Sequence, residues 1–120
     1  MDDLNARELC ERIRDGRITS VEATEAVFER IEACDGVVGA YISMDRERAL
    51  AQAAEVDRRI AAGEEVGLLG GVPIAVKDNM CTAWGATTCA SRMLENFHSP
   101  YNATAVERLL AADAVIVGKT

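Results

Sequence analysis

The most informative stretch of the chain is GGVPIAVKDN at positions 70–79. An unbroken apolar run that follows glycines is typical of a strand buried on both faces, as in parallel sheets. Pro73 fits near the start of such a strand or on a sheet edge, where its missing N–H is tolerated. We therefore predict a buried strand over 72–77 that ends at Lys77.

A second apolar run, AVIV at 114–117, predicts a second buried strand. Between the two strands, Asn102 is the expected cap of a helix with three inward-facing residues, Val106, Leu109 and Leu110. Strand, helix and strand over this length indicate a βαβ unit with a right-handed crossover. The connection over 79–101, with a short helix predicted over 91–97, is long, and long connections are often functional.

The first 63 residues are predicted to be mainly helical. Each of the three helical patterns ends at a glycine, and their ranges are 5–15, 19–36 and 45–63. Thr19 and Glu22 form the capping box of the second helix. A short strand-like stretch, 37–43, follows that helix. The chain is thus predicted to be α/β, with a helical part at 1–63 and a strand–loop–helix–strand part at 64–120.

Composition excludes several classes of protein. Half of the 120 residues (49%) are apolar and 28% are charged, which is typical of a globular chain and not of a disordered one. No window is long and apolar enough for a membrane span, and the charged start, MDDLNARELCERIRD, is unlike a secretory signal. We therefore expect a cytoplasmic protein. The net charge of −7 argues against direct nucleic-acid contact by this segment.

Several residues invite a functional reading that their context does not support. The end of the chain, Gly118-Lys119-Thr120, resembles the end of a phosphate-binding loop, but that motif needs a glycine where Asp113 stands. His98 has no catalytic partner in view and is predicted to lie on the surface. The cysteines lack the close spacing of a zinc site, so we expect no bound metal and four free thiols: Cys10, Cys34, Cys81 and Cys89.

Lys77 is the candidate catalytic residue. A lysine at the carboxyl end of a parallel strand lies where open α/β sheets place their sites. Burial would lower its pKa, and a neutral amine there could serve as the base for a serine nucleophile. Asp78 and Asn79 are expected to orient Lys77 or to accept hydrogen bonds from its N–H groups. The alternative is that Lys77 only marks the end of the strand and points into water.

Four segments carry a resemblance to a known family. LGGVPIAVKDN at 69–79 resembles the lysine-bearing segment of the amidase-signature family. Within that family, three later segments are similar to the branch that forms the A subunit of glutamyl-tRNA(Gln) amidotransferases: TTCASRMLENF at 87–97, YNATAVERL at 101–109 and AVIVGKT at 114–120. Asn102 departs from the usual aspartate and Asp113 from the usual glycine, and the pair Ala83-Trp84 is unfamiliar.

The resemblance implies a fold and a catalytic group. The fold would be an α/β/α arrangement around a mixed sheet, of which residues 1–120 are the N-terminal portion of a single amidase domain. Catalysis in the family uses a serine nucleophile, a second serine reached through a cis peptide bond, and a lysine. Lys77 matches the lysine, and both serines are expected beyond Thr120, so the 120-residue chain is expected to be inactive alone.

The resemblance also implies a function for the intact protein. It would release ammonia from glutamine, and a partner subunit would use the ammonia with ATP and Mg²⁺ to convert Glu-tRNA(Gln) to Gln-tRNA(Gln). The implied partners are subunits B and C of a heterotrimer, with the tRNA held through the partner and no cofactor on this segment. Two alternatives stay open: a stand-alone amidase acting on another amide, and a non-catalytic scaffold.

Overall fold

In the second half of the chain, a strand, a helix and a strand follow one another, as the apolar patterns predict. The computed structural model describes residues 4–120. The elements are α1 (Ala6–Arg14), α2 (Ser20–Val38), β1 (Ser43–Met44), α3 (Arg46–Ala61), β2 (Pro73–Val76), α4 (Thr104–Ala111) and β3 (Val115–Lys119). A 3-10 helix, Arg92–Leu94, lies in the long connection between β2 and α4.

The three strands form one mixed sheet in the order β1-β3-β2. β2 and β3 are parallel, with Pro73 opposite Val115 and Val76 opposite Lys119. This confirms the predicted parallel pair joined by a helix. β1 is antiparallel to β3 on the other side, and its two residues are both exposed.

The predicted starts of the first three helices are confirmed by their capping bonds. Asn5 caps α1 and shares a capping box with Glu8. In α2 the amide of Glu22 donates to Thr19 Oγ1 at 3.0 Å, and the amide of Thr19 donates back to the Glu22 carboxylate at 2.8 Å. Asp45 caps α3 through the amide of Arg48. These local bonds satisfy amides that have no partner within the helix.

The predicted end of the second helix was wrong. α2 continues through Gly36 to Val38 and ends at Gly39, whose φ of +64° is left-handed. Gly39 donates to Asp35 O at 2.7 Å, and the Asp35 carboxylate accepts from the amide of Ala40 at 2.7 Å. These bonds close the helix three residues later than the first available glycine. Of the strand-like stretch 37–43, only its last residue is therefore in a strand.

Three expectations for the second half also need correction. The helix predicted over 91–97 is only the 3-10 turn Arg92–Leu94. Asn102 does not cap α4, because Ala103 holds that position without a side-chain bond. β2 is not buried on both faces: it lies at a sheet edge, and only Val76 of its residues is buried. The fully buried strand is β3, because it has a neighbour on each side.

The sheet separates two apolar layers, which agrees with the α/β/α expectation. The helix face is covered by α2 and α3, and its buried core residues are Phe28, Ile31, Ala49, Ala53, Val115 and Val117. The loop face is covered by α4 and by the connection over 77–103, and its core consists of Val76, Val106 and Ile116 with half-buried Met80, Trp84, Leu109 and Leu110. No helix within residues 4–120 combines the length and apolarity that a membrane crossing requires.

Candidate active site

Lys77 directly follows β2, at the carboxyl end of the parallel pair, as the sequence predicted. Its backbone is held against the end of β3: Thr120 donates to Val76 O at 2.9 Å, and Asp78 donates to Thr120 O at 2.7 Å. The Lys77 side chain is exposed within residues 4–120. The described residues thus fix the position of Lys77 but do not supply the desolvation of its amine that was expected.

Asp78 does not orient Lys77, contrary to the sequence-based expectation. Its side chain is only 2% exposed. One carboxylate oxygen accepts hydrogen bonds from the hydroxyl and, at 3.0 Å, from the amide of Thr88. The other oxygen receives no well-directed hydrogen bond and faces the Lys119 ammonium at 3.3 Å as an ion pair. Asn79, the other expected partner of Lys77, is exposed.

The charge state of Asp78 follows from these contacts. Burial alone raises the pKa of this carboxyl group, because it disfavours the charged form. The two hydrogen bonds from Thr88 and the nearby Lys119 ammonium favour the charged form and outweigh burial, so that the pKa of Asp78 lies below its usual value. Asp78 is therefore a carboxylate at neutral pH.

Lys119 is the residue that sequence reasoning missed. It is 4% exposed, and its ammonium lies within hydrogen-bonding distance of four loop oxygens: Met80 O (3.0 Å), Thr82 Oγ1 (3.2 Å), Thr87 Oγ1 (3.3 Å) and Ala86 O (3.5 Å). In the sequence, Lys119 belongs to the rejected phosphate-binding motif and to the family-like segment AVIVGKT at 114–120, and neither indicates a buried lysine. The available signal was the one that selected Lys77, namely a lysine at the carboxyl end of an apolar parallel strand.

An irregularity in β3 directs Lys119 toward the loop face. Val115 and Val117 pack on the helix face and Ile116 on the loop face, so simple alternation would place Lys119 on the helix face. The register shifts by one residue opposite the step from Ile74 to Ala75. Such bulges re-aim side chains. This one accounts for the contact between Lys119 and the loop.

The rest of the long connection is held by contacts that the sequence did not reveal. Asn102 accepts the amide of Ala83 at 2.7 Å and donates to the Glu107 carboxylate at 2.7 Å, so it fastens the loop to α4 instead of capping it. The Arg48 guanidinium lies 3.5 Å from the ring centroid of Trp84, a cation–π contact that joins the loop to α3. The unfamiliar pair Ala83-Trp84 therefore has a packing role.

The remaining candidates lie where the sequence predicted or have no arrangement for chemistry. His98 is exposed, which confirms the surface prediction. Gly118 and Lys119 belong to β3 and do not form a phosphate-cradling loop. The four cysteines are free thiols, with Cys10 buried and Cys89 exposed. Within residues 4–120, this end of the sheet thus offers the exposed primary amine of Lys77, and the next residue, Asp78, forms a buried ion pair with Lys119.

Comparison with known protein families identifies this arrangement. The family model described as Amidase matches residues 22–120, which include the whole sheet and Lys77. The chain belongs to the amidase family. Its mixed sheet and the helices on both faces are the N-terminal part of the amidase-signature fold.

Two similar curated proteins share one name. The glutamyl-tRNA(Gln) amidotransferase A subunit of Carboxydothermus hydrogenoformans is 50% identical over 117 residues, which cover 98% of this chain and 24% of the relative. The protein of that name from Thermosynechococcus vestitus is 53% identical over 102 residues, 85% of this chain and 21% of the relative. The chain therefore spans about a quarter of the length of these relatives.

Solved amidase structures share the fold. The peptide amidase of Stenotrophomonas maltophilia matches 98% of this chain with 36% identity and a TM-score of 0.91, over 24% of its own length. A fatty acid amide hydrolase matches 98% with 26% identity and a TM-score of 0.92, over 21% of its length. The resemblance to the amidase-signature family predicted from four segments is thus confirmed over almost the whole chain.

Proposed function

We propose that this chain is the lysine-bearing portion of the glutaminase component in a glutamyl-tRNA(Gln) amidotransferase. The observation that carries the proposal is the 50% identity over 98% of the chain with proteins named as the A subunit of that enzyme. The position of Lys77 at the carboxyl end of β2 supports a role for it in the reaction.

The proposed chemistry assigns one role to this chain. A serine hydroxyl outside residues 1–120 attacks the side-chain amide carbon of glutamine, and its proton passes through a second serine to the neutral amine of Lys77. Lys77 returns a proton to the departing nitrogen, ammonia leaves, and water hydrolyses the acyl-enzyme. Residues 1–120 supply the amine and its rigid position. Without the nucleophile, this chain alone is proposed to be inactive.

The same proposal implies partners. Subunits B and C would complete a cytoplasmic heterotrimer, and the partner would hold the tRNA and use ATP and Mg²⁺ to activate the glutamate to be amidated. The net charge of −7 supports this division, because a segment of this charge is poorly suited to hold the phosphate backbone itself.

A stand-alone amidase that acts on another amide is the second candidate. It is favoured by the TM-score of 0.91 with a peptide amidase, since fold similarity does not fix the substrate. Ammonia release from glutamine and from peptide amides by the full-length protein, with and without co-purified partners, separates the two. Glutamine hydrolysis that depends on partner subunits supports the amidotransferase, whereas partner-independent cleavage of other amides supports the second candidate.

The catalytic role of Lys77 is tested by two substitutions in the full-length protein. Lys77→Arg keeps the charge but cannot release a proton, and Lys77→Met keeps only the apolar stem. Both should lower kcat on the order of 10²-fold or more, the usual contribution of a general base. Rates of ammonia release from glutamine provide the measurement.

The control is Arg108→Met, which removes another exposed cation, on α4. It should keep the full rate. An arginine variant at position 77 that retains most of the rate in a normally assembled protein would show that Lys77 only ends the strand. It would also revive the non-catalytic scaffold as an alternative.

A further inference from the structure

We propose that Lys119 is a positioning residue for the reaction of Lys77, acting by fixing the loop that begins at Asp78. This inference rests on the proposed function, because it needs Lys77 to be the reacting amine. It differs from that function in assigning a role to a second lysine, one that is buried and touches no reacting atom.

Lys119 and Lys77 lie close together at the ends of the two parallel strands. Lys119 lies opposite Val76 in the register of β2 and β3. Val76 directly precedes Lys77 in the chain. The bulge in β3 turns its side chain onto the loop face, under the connection that leaves Lys77. Lys119 is thus placed to act on the chain immediately after the reacting lysine.

The contacts of the Lys119 side chain are spread along the loop that follows Lys77. The Lys119 ammonium meets Asp78 at 3.3 Å, Met80 O at 3.0 Å and Thr87 Oγ1 at 3.3 Å. These groups lie one, three and ten residues after Lys77, so a single side chain ties three positions in the first part of the loop to the sheet. Asp78 extends the network through Thr88, and Cys89 donates to Asp78 O at 3.2 Å.

The contacts of Lys119 include the turn that directly follows Lys77. Its carbonyl accepts from the amide of Met80 at 2.9 Å, so the turn after it is built from residues that Lys119 holds. A shift of about 1 Å in a reacting group can cost 10²-fold in rate. Removing one partner of a buried ion pair is destabilising, because it leaves the other charge buried and unpaired. Loss of Lys119 should therefore lower stability as well as misplace Lys77, and the effect on Lys77 is measured as kcat per folded molecule.

The test uses the full-length protein with its partner subunits. Lys119→Met should lower kcat for ammonia release roughly 10- to 100-fold with a smaller change in KM, because the amine is misplaced while glutamine still binds. In a Lys77→Met background, Lys119→Met should cause no further loss of kcat, because the residue through which it acts is already gone. A purely structural role would cause a further loss.

Two other variants distinguish a misplaced Lys77 from a simple loss of folded protein. Arg59→Met breaks the ion pair with Asp113 at 2.7 Å, at the opposite end of β3; it should lower Tm but leave kcat per folded molecule unchanged. Thr87→Val preserves side-chain shape and removes one ammonium partner. It should lower kcat several-fold even if Lys119→Met does not fold.

The outcomes are distinct. Unchanged kcat in Lys119→Met, or in Thr87→Val where the lysine variant fails to fold, overturns the inference while the proposed function stands, provided that the kcat of Lys77→Met is lowered as expected. A loss of activity that only matches the loss of folded protein overturns it as well. An active Lys77→Met removes the proposed function itself.

Discussion

Lys77 and Lys119 end neighbouring parallel strands but have opposite environments. Lys77 is exposed, whereas Lys119 is 4% exposed and surrounded by loop oxygens. The difference has a direct cause: β2 is an edge strand whose end leads outward, and β3 is central and carries a bulge that turns Lys119 under the loop. The Lys77 amine is accessible to solvent, whereas the Lys119 ammonium is surrounded by its hydrogen-bond partners.

Gly71 illustrates a second constraint at single residues. Its φ is +77°, and a Cβ there would lie 2.7 Å from Ser20 Oγ and 2.8 Å from Ser20 Cβ. We expect Gly71→Ala to destabilise the full-length protein by about 2–5 kcal/mol, the sum of about 1–2 for left-handed backbone and about 1–3 for overpacking. Urea denaturation measures the free energy of unfolding.

Gly85→Ala is the matched control. Gly85 has a similar φ of +61°, but a Cβ there would meet no atom within 4 Å. It should cost only the backbone term, about 1–2 kcal/mol. Equal losses of unfolding free energy in the two variants would show that the close approach of α2 to Gly71 adds nothing to the cost of the substitution.

At the scale of elements, the turn between α4 and β3 joins three parts of the fold. Asp113, at a φ of +61°, accepts from the Arg59 guanidinium of α3 at 2.7 Å and from the amide of Gly67 at 2.7 Å. Its own carbonyl accepts from Gly71 at 2.9 Å. Asp113 thus uses its side chain to tie α3 and the segment before β2 to this turn.

This arrangement predicts an unusual order of stability at position 113. Asp113→Ala loses both side-chain contacts and keeps the left-handed backbone, whereas Asp113→Gly loses the same contacts but relieves the strain. Both variants of the full-length protein should be less stable than the parent, with alanine lower than glycine by about 1 kcal/mol. Thermal unfolding monitored by circular dichroism gives the order, and an alanine variant as stable as the glycine variant would contradict it.

At the scale of the whole molecule, the chain leaves a good deal of apolar surface uncovered. Val37 is 94% exposed and Met93 95%, and Leu68 and Tyr101 are also largely exposed. The three-stranded sheet has β1 and β2 as edges. Open edges and apolar surface favour association with other chains.

We therefore expect the purified 120-residue chain to behave poorly by itself. It should elute as a mixture of sizes and unfold over a broad temperature range, because much of its apolar surface has no partner. It should also release no ammonia from glutamine above the buffer blank. Size exclusion, thermal unfolding and an ammonia assay check these points. A monodisperse monomer with one sharp transition would show that this segment folds independently, and turnover abolished by Lys77→Ala would show that it needs no further residues.

Residue patterns in the sequence were enough to predict the local features of this protein and the family to which it belongs. The caps at Thr19 and Asp45 and the apolar run ending at Lys77 depend on residues close together in the chain. The parallel βαβ unit was predicted from the order of such local patterns, strand, helix and strand. Periodicity and capping are local signals, and for that reason they are readable from sequence.

The burial of Lys119 and the contacts of Asp78 could not be predicted from the sequence, because both follow from long-range packing. The Lys119–Asp78 pair joins residues 41 positions apart, and it depends on strand order, on a one-residue bulge and on the path of the loop. None of these has a local signature at Lys119. The role of Asn102 in holding the loop has a similar origin, because its partner Ala83 is brought near by the folded chain. The end of α2 at Gly39 depends instead on local bonds to Asp35, which apolar periodicity does not reveal.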